Sequence, residues 1–337
     1  MSDIQVMQYV QREMKNGSSQ SQIATKLMQK GVTMQQLQRV RSQYEKLNGT
    51  SAVRSSGSTT DQLTADSRMR ESNGAVRVDA DGNEIEKIRN AKENGITSIC
   101  ITDHYDIDFP VRPDEPEMDF QLDYETYIKY MSELKKKLYP DFDLRIGVEM
   151  GLMYDSKEKC SDFVKAHPEF DFIIASIHVV DNLDPYYPEY FSDKSDKEGY
   201  MKYFETILDV VKKYNDYNVF GHLDYILRCG KTKADFFDIK DYYDVFHEIL
   251  KTIIQNGKGI ELNTAGLYKG LGFCHPHKDI LKIYKELGGE IITVGSDSHD
   301  AKHIGYGFDL AKDILLDTGF KYYCTFKGQK EEFHSIS

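Results

Sequence analysis

The run "EIITVGSDSHD" (residues 290–300) decides how most of this chain is read. Its first half is apolar and β-branched, as a buried strand requires, and its second half turns polar at once. Asp297 and His299 stand two apart, so an extended backbone puts both side chains on one face. Two such groups at the end of a buried strand call for companions of the same kind.

The companions come in a regular alternation. The helix-like "NEIEKIRNAKENG" precedes the strand-like "ITSICITDH" (96–104), and "DYETYIKYMSELKKKL" precedes "LRIGVEMG" (144–151). "SKEKCSDFVKAH" leads to "FDFIIASIHVV" (170–180), and "GYMKYFETILDVVKKYN" leads to "NVFGHLDYI" (218–226). "DYYDVFHEILKTIIQNG" leads to "GIELNTAG" (259–266), and "HKDILKIYKELGG" leads back to the opening run. Apolar strands alternating with amphipathic helices predict an α/β fold with a parallel sheet covered on both faces. The polar residues fall at the C-terminal ends of the strands, where a β/α barrel builds its site. An open doubly wound sheet is the alternative, but the Gly-rich phosphate turn expected after its first strand is missing.

Collected from those strand ends are Asp103, His104, Glu149, His178, His222, Asp224, Glu261, Asn263, Asp297 and His299. A His/Asp/Glu set without thiolates suits Zn²⁺, Mn²⁺ or Fe²⁺. One carboxylate among several imidazoles can bridge two ions ~3.5–4 Å apart, an arrangement that activates water against a phosphate ester. No Ser or Cys sits on a strand–elbow–helix turn, so the pattern predicts metal-assisted hydrolysis without a covalent nucleophile.

Composition sets the frame. A length of 337 residues allows one large domain with an appendage. No apolar run approaches the ~18 residues of a membrane span, and "MSDIQVMQYVQREM" lacks the apolar core of a signal peptide. Five scattered Cys without CxxC spacing predict reduced thiols and a cytoplasmic protein. A net charge of −12 argues against general nucleic-acid binding. An anionic substrate then needs local positive charge, which bound metal ions can supply. The acidity is uneven: residues 1–74 carry 10 Lys and Arg against 6 Asp and Glu, and residues 75–337 carry 33 against 49.

That asymmetry matches a division of the chain. Residues 1–47 read as a small Gln-rich helical module, with Gly31 as a helix stop. A helix, a turn and a second helix also describe a DNA-reading motif, although the positive balance is slight. Residues 48–74 form a Ser/Thr/Gly-rich linker, and 75–337 form the barrel-like part.

"ITDH", "GVE", "ASIH", "GHLDYILR", "ELNTAGL" and "GSDSH", in this order over about residues 84–334, resemble the PHP (polymerase and histidinol phosphatase) superfamily, in its histidinol-phosphatase branch. Residues 1–47 resemble the N-terminal helical region of bacterial polysaccharide-export proteins. The PHP resemblance implies a (β/α)7-type barrel holding two or three divalent ions (Zn, Mn or Fe). It also implies hydrolysis of L-histidinol phosphate to L-histidinol and phosphate in histidine biosynthesis. On this resemblance Glu149 bridges two ions, with His178 and His222 completing the second site. Asp297 binds the first site, and His104 and His299 bind the third. Glu149, Asp297 and His222 are the catalytic candidates. Arg228 is a candidate for the substrate phosphate, and Asn263 and Lys269 lie in the segment that resembles the substrate-facing loop.

One part of the family pattern is absent. The superfamily opens with a strand ending in H-x-H, but no His precedes His104 here. Either the first strand is missing or replaced, so that an open barrel with a crippled first site is prone to instability or self-association, or "AVRVDA" (75–80) substitutes for it with Asp79 and Asp81 as carboxylate ligands. A catalytically inactive PHP-like binding protein and a protein-tyrosine phosphatase of the same superfamily are the competing functions. "CHPH" (274–277) is a Pro-capped helix start rather than a metal site. The segment 104–120 is a substrate lid, and "YYPEYF" (186–191) lines the pocket.

Overall fold

The computed structural model describes residues 83–110, 112, 120–138, 140–153 and 155–336, together with Val6, Tyr9, Lys26, Leu27, Lys30 and Val32. The chain divides into two units, Met1–Gln62 and Leu63–Ser337. In the first unit Val6 and Leu27 are buried, and a turn closes where the N–H groups of Lys30 and Val32 both donate to the Leu27 carbonyl. The expected linker 48–74 and the candidate strand 75–80, with Asp79 and Asp81, lie outside the described residues.

The second unit follows the alternation. Its elements begin α1 (Asn83–Glu93), β1 (Ser98–Tyr105), α2 (Tyr124–Leu138), β2 (Asp143–Gly151), α3 (Lys157–Ala166) and β3 (Phe172–Ser176). They continue α4 (Asp196–Val211), β4 (Val219–Phe220), α5 (Tyr243–Gln255), β5 (Gly259–Asn263) and the single turn α6 (Ala265–Tyr268). The last are α7 (Lys278–Glu286), β6 (Ile292–Gly295), α8 (Phe308–Asp317), β7 (Tyr322–Lys327) and β8 (Lys330–Ser335). Strands β1 to β6 form one all-parallel sheet in sequence order. Residues of β2, β3 and β5 are buried almost without exception, which is why they read as continuous apolar runs.

The helices cover this sheet for the reason their spacing predicts. In α5 the buried side chains are Phe246, Ile249, Leu250 and Ile253, one stripe at helical period. Helix α4 begins with a full capping box: Ser195 accepts from the Glu198 N–H, and the Glu198 side chain accepts from Ser195 N–H at 2.8 Å. At the other end of "CHPH" the helix α7 begins at Lys278 with His277 as its N-cap, so the cap is an imidazole and Pro276 precedes it.

The C-terminal antiparallel hairpin β7–β8, which the alternation did not foretell, closes the N-terminal end of the sheet. Phe172, Ile174 and Val219 pack there against Cys324 and Phe326. The buried Arg145 at the start of β2 locks the hairpin: Nη1 donates to the Phe326 carbonyl at 2.8 Å and pairs with Glu332 at 2.7 Å, while Nη2 donates to Asp143 at 2.7 Å. With that end plugged, the opposite, C-terminal end remains for the site.

The sheet does not close among the described residues. Among the described residues six parallel strands are present where the resemblance implies seven, with β1 and β6 as the outermost two. Between them runs a cleft of ≈ 360 Å³, lined by Ile101 and His104 on one side, Thr293 and Asp297 on the other, and Phe326 at its foot.

Candidate metal centre

Parallel pairing sets the first contact of the site. His104 lies opposite Glu149 in the β1–β2 register, near the C-terminal ends of both strands. His178 follows β3 by two residues and His222 follows β4 by two, while Asp297 and His299 follow β6. All the strands point the same way, so residues up to 195 positions apart in sequence arrive at one rim.

Glu149 is the hub. Its Oε1 accepts from the Ser176 hydroxyl at 2.6 Å and lies 2.9 Å from His222 Nε2 and 3.2 Å from His178 Nε2. Its Oε2 lies 3.8 Å from His104 Nε2. His104, Glu149 and His178 each offer a ligand atom within 4.8 Å of the others. The His104 ring also stands 6.0 Å from the ring of His299, which brings the β6 loop into the cluster. Asp297 Oδ2 faces Arg228 Nη1 at 3.8 Å.

Two of these residues occupy unusual backbone. His222 has φ +20° and Asp297 φ +45°, conformations that side-chain-bearing residues rarely adopt. Such conformations persist only where surrounding contacts hold them, and they gather at functional sites. Just before His222, Gly221 lets the backbone pass close to β3: a Cβ there would stand 2.8 Å from the Ile174 side chain and 2.9 Å from Ser176 Oγ.

The protonation states complete the picture. Burial disfavours the charged form of His178, but the Asp106 and Glu149 carboxylates outweigh it and push the ring up to about 10. Burial likewise opposes ionisation of Glu149, yet the charge of His104 and hydrogen bonds from His178 and His222 hold it well below the ordinary carboxylate range. Asp297 is also held low against burial, by His299 and Arg228. His299 is the opposite case: burial brings its ring down to about 4 despite Asp297, leaving a neutral imidazole at neutral pH. Glu261, beneath the hub, is raised to about 8 by burial, with the Glu149 and Asp297 charges adding to it and the Asn263 amide opposing.

These residues fit a divalent cation. The donors are imidazole nitrogens and carboxylate oxygens only, buried and convergent, and no thiolate takes part. Without an ion the cluster relies on a proton on His178 to hold its carboxylates together. Buried Nδ1 atoms of His104 and His222 have no hydrogen-bond partner, a cost tolerated where the ring serves another purpose.

The remaining candidates sort by contact. Arg228, at the end of a short 3₁₀ turn (Tyr225–Arg228), lays its guanidinium over the Tyr225 ring at 4.3 Å, and its buried Nη1 has no hydrogen-bond partner in the protein. Asn263 lines the cleft, but its amide is engaged at both ends, donating to Glu261 at 3.0 Å and accepting from Ala265 N–H at 2.9 Å. Lys269 follows α6, with its ammonium 5.8 Å from the Tyr268 ring. Asp224 stands apart from the ligands: it holds His275 Nδ1 at 2.5 Å and accepts from the His277 N–H at 2.7 Å. "CHPH" is therefore a strut tying the β4 loop to α7. In "YYPEYF", Tyr190 and Phe191 are buried, and Tyr190 donates to the Gly199 carbonyl of α4 at 2.8 Å, so these two are packing residues rather than pocket lining. Of the expected lid, residues 111 and 113–119 lie outside the described residues; Arg112 stacks on Tyr187 at 3.7 Å.

A family model described as the PHP domain matches residues 76–265. The chain belongs to the PHP family. Within it, a histidinol-phosphatase of Lactococcus lactis is 32% identical over 254 residues, spanning 74% of this chain and 91% of that protein. A probable histidinol-phosphatase of Clostridium acetobutylicum is 33% identical over 237 residues, spanning 70% and 88%. The crystal structure of the Lactococcus lactis histidinol phosphate phosphatase, complexed with zinc, L-histidinol and phosphate, matches this PHP fold with a TM-score of 0.68. That match, at 30% identity, covers 77% of this chain and 97% of the other. The chain falls in the histidinol-phosphatase branch of the PHP family.

Sequence reasoning missed one member of the centre. Asp106 falls within the segment expected to form the lid, yet it faces His104 and His178. Its signal was available: it follows His104 by two residues, the same spacing as Asp297 and His299.

Proposed function

We propose that this chain is a metal-dependent phosphomonoesterase that hydrolyses L-histidinol phosphate to L-histidinol and phosphate, with two or three divalent ions of the zinc, manganese or iron kind. The observation that carries this reading is the buried hub of Glu149 among His104, His178 and His222, with Asp297, His299 and Arg228 on the same rim. Bound divalent ions supply there a water-derived nucleophile at neutral pH and neutralise charge on the phosphoryl oxygens.

Glu149 would serve two ions, with His178 and His222 on one and Asp297 on another, while His104 and His299 hold a third. Ser176 fixes Glu149 by donating to Oε1, which leaves Oε2 directed toward His104. Arg228 would receive the substrate phosphate through the Nη1 that no protein acceptor occupies. Lys269 adds positive charge near His299, and Asn263 keeps Glu261 in place beneath the site. The first site has only Asp297 and Glu149 among the described residues. Asp79 and Asp81 would complete it only on the alternative reading, in which residues 75–80 substitute for the first strand.

Phosphate release from L-histidinol phosphate, with and without added Mn²⁺ or Zn²⁺, tests the reading. Metal-dependent turnover that disappears in His222→Ala is expected. A folded, metal-loaded protein that releases no phosphate would overturn it in favour of an inactive binding protein of the same fold.

A further inference from the structure

Asp106 lies just beyond β1, is 4% exposed, and turns its carboxylate toward the backs of two ligand imidazoles. Its Oδ2 is 2.7 Å from His178 Nδ1. Its Oδ1 is 3.6 Å from His104 Nδ1, and neither of these two buried atoms has a hydrogen-bond partner. They face one another roughly 0.7 Å beyond an ordinary N–H···O length. On the opposite side of both rings, the Nε2 atoms face the two oxygens of Glu149, at 3.2 Å for His178 and 3.8 Å for His104. Two carboxylates thus bracket two imidazoles, Glu149 on the side of the ions and Asp106 behind.

A ligating imidazole must leave one nitrogen unprotonated for the ion, so its other nitrogen carries the proton and needs an acceptor. Asp106 offers an acceptor oxygen to each ring. We propose that Asp106 is a positioning residue of the metal centre, holding His104 and His178 together with Nδ1–H directed to its carboxylate and Nε2 free for an ion. The role rests on the metal centre of the proposed function but not on its substrate. Because the two rings belong to different ions in that assignment, one carboxylate ties the occupancy of one site to that of the other.

A glycine protects the arrangement. A Cβ at Gly151, at the end of β2, would land on the Asp106 carboxyl. Gly151→Ala therefore displaces Asp106 without altering any ligand.

Two substitutions test the idea. Asp106→Asn keeps the size of the side chain and one acceptor oxygen, but its NH₂ confronts the second imidazole with a donor. That ring must then accept at Nδ1 and protonate Nε2, which removes it from the ligand set. Zn²⁺ affinity is measured by competition with a chromophoric chelator, and Co²⁺ absorption reports the ligand geometry. Asp106→Asn and Gly151→Ala are each expected to weaken binding 10–100-fold, the usual effect of losing a group that orients a ligand, and to alter the Co²⁺ spectrum. Wild-type affinity and an unchanged spectrum in folded Asp106→Asn would overturn the proposal and leave the metal centre standing. A folded wild-type protein that binds neither ion would overturn both.

Discussion

Replacing Glu149 by Gln is the most informative single change. The side chain keeps its shape, so Ser176 can still donate to the amide oxygen, but three imidazoles lose their shared anion. In the ion-free protein His178 is raised to about 10, largely against burial, by Asp106 and Glu149. A raised imidazole contributes stability that is complete below its ordinary value of ~6.5 and is lost as pH rises through the folded value. Breaking a buried ion pair from one side costs about 3–5 kcal/mol. Glu149→Gln is therefore expected to destabilise the ion-free protein by that amount near pH 6. Toward pH 10 the cost should shrink to about 1 kcal/mol, the worth of an ordinary hydrogen bond. Urea unfolding of chelator-treated protein at the two pH values measures the difference. For the ion-loaded protein the same loss of about 3–5 kcal/mol corresponds to about 10²–10⁴ in affinity. A destabilisation equal at both pH values would refute the charge argument, and unchanged Zn²⁺ affinity would refute the hub.

Three further outcomes follow from other residues. Glu261, raised to about 8 by burial, lowers the stability of the ion-free protein as pH climbs from the ordinary 4.5 to that value, because only the unfolded chain ionises freely over the window; Glu261→Gln should flatten this arm of the stability–pH curve, and an unchanged slope would place the titration elsewhere. Arg228→Lys removes a planar donor worth about 1.5–3 kcal/mol against an anion, so kcat/KM for L-histidinol phosphate should fall about 10–100-fold with metal content intact; equal kinetics would release Arg228 from phosphate binding. On the reading that the first strand's ligands are missing rather than replaced, the double change Asp79→Ala with Asp81→Ala is expected to leave metal content and turnover unchanged, whereas loss of an ion per chain by elemental analysis would assign these carboxylates to the first site.

Much of this protein was legible before any coordinates. Short apolar runs alternating with amphipathic stripes imply parallel strands under helices, because only strands covered on both faces tolerate continuous apolar sequence. Among the polar residues that end those runs are His104, Glu149, His178, His222, Asp297 and His299, which the PHP resemblance singles out as ligands, while no His precedes His104 to supply the family's H-x-H pair. What sequence order could not supply was distance in space and protonation. That His104, Glu149 and His178 come within 4.8 Å depends on strand register, and register is a pairing across the chain rather than a property of either segment. The Asp106 brace and the Asp224–His275 strut were hidden for the same reason. Each joins loops that are adjacent only after the sheet has curled, and whether such a carboxylate is ligand, brace or strut is decided by what the fold buries beside it.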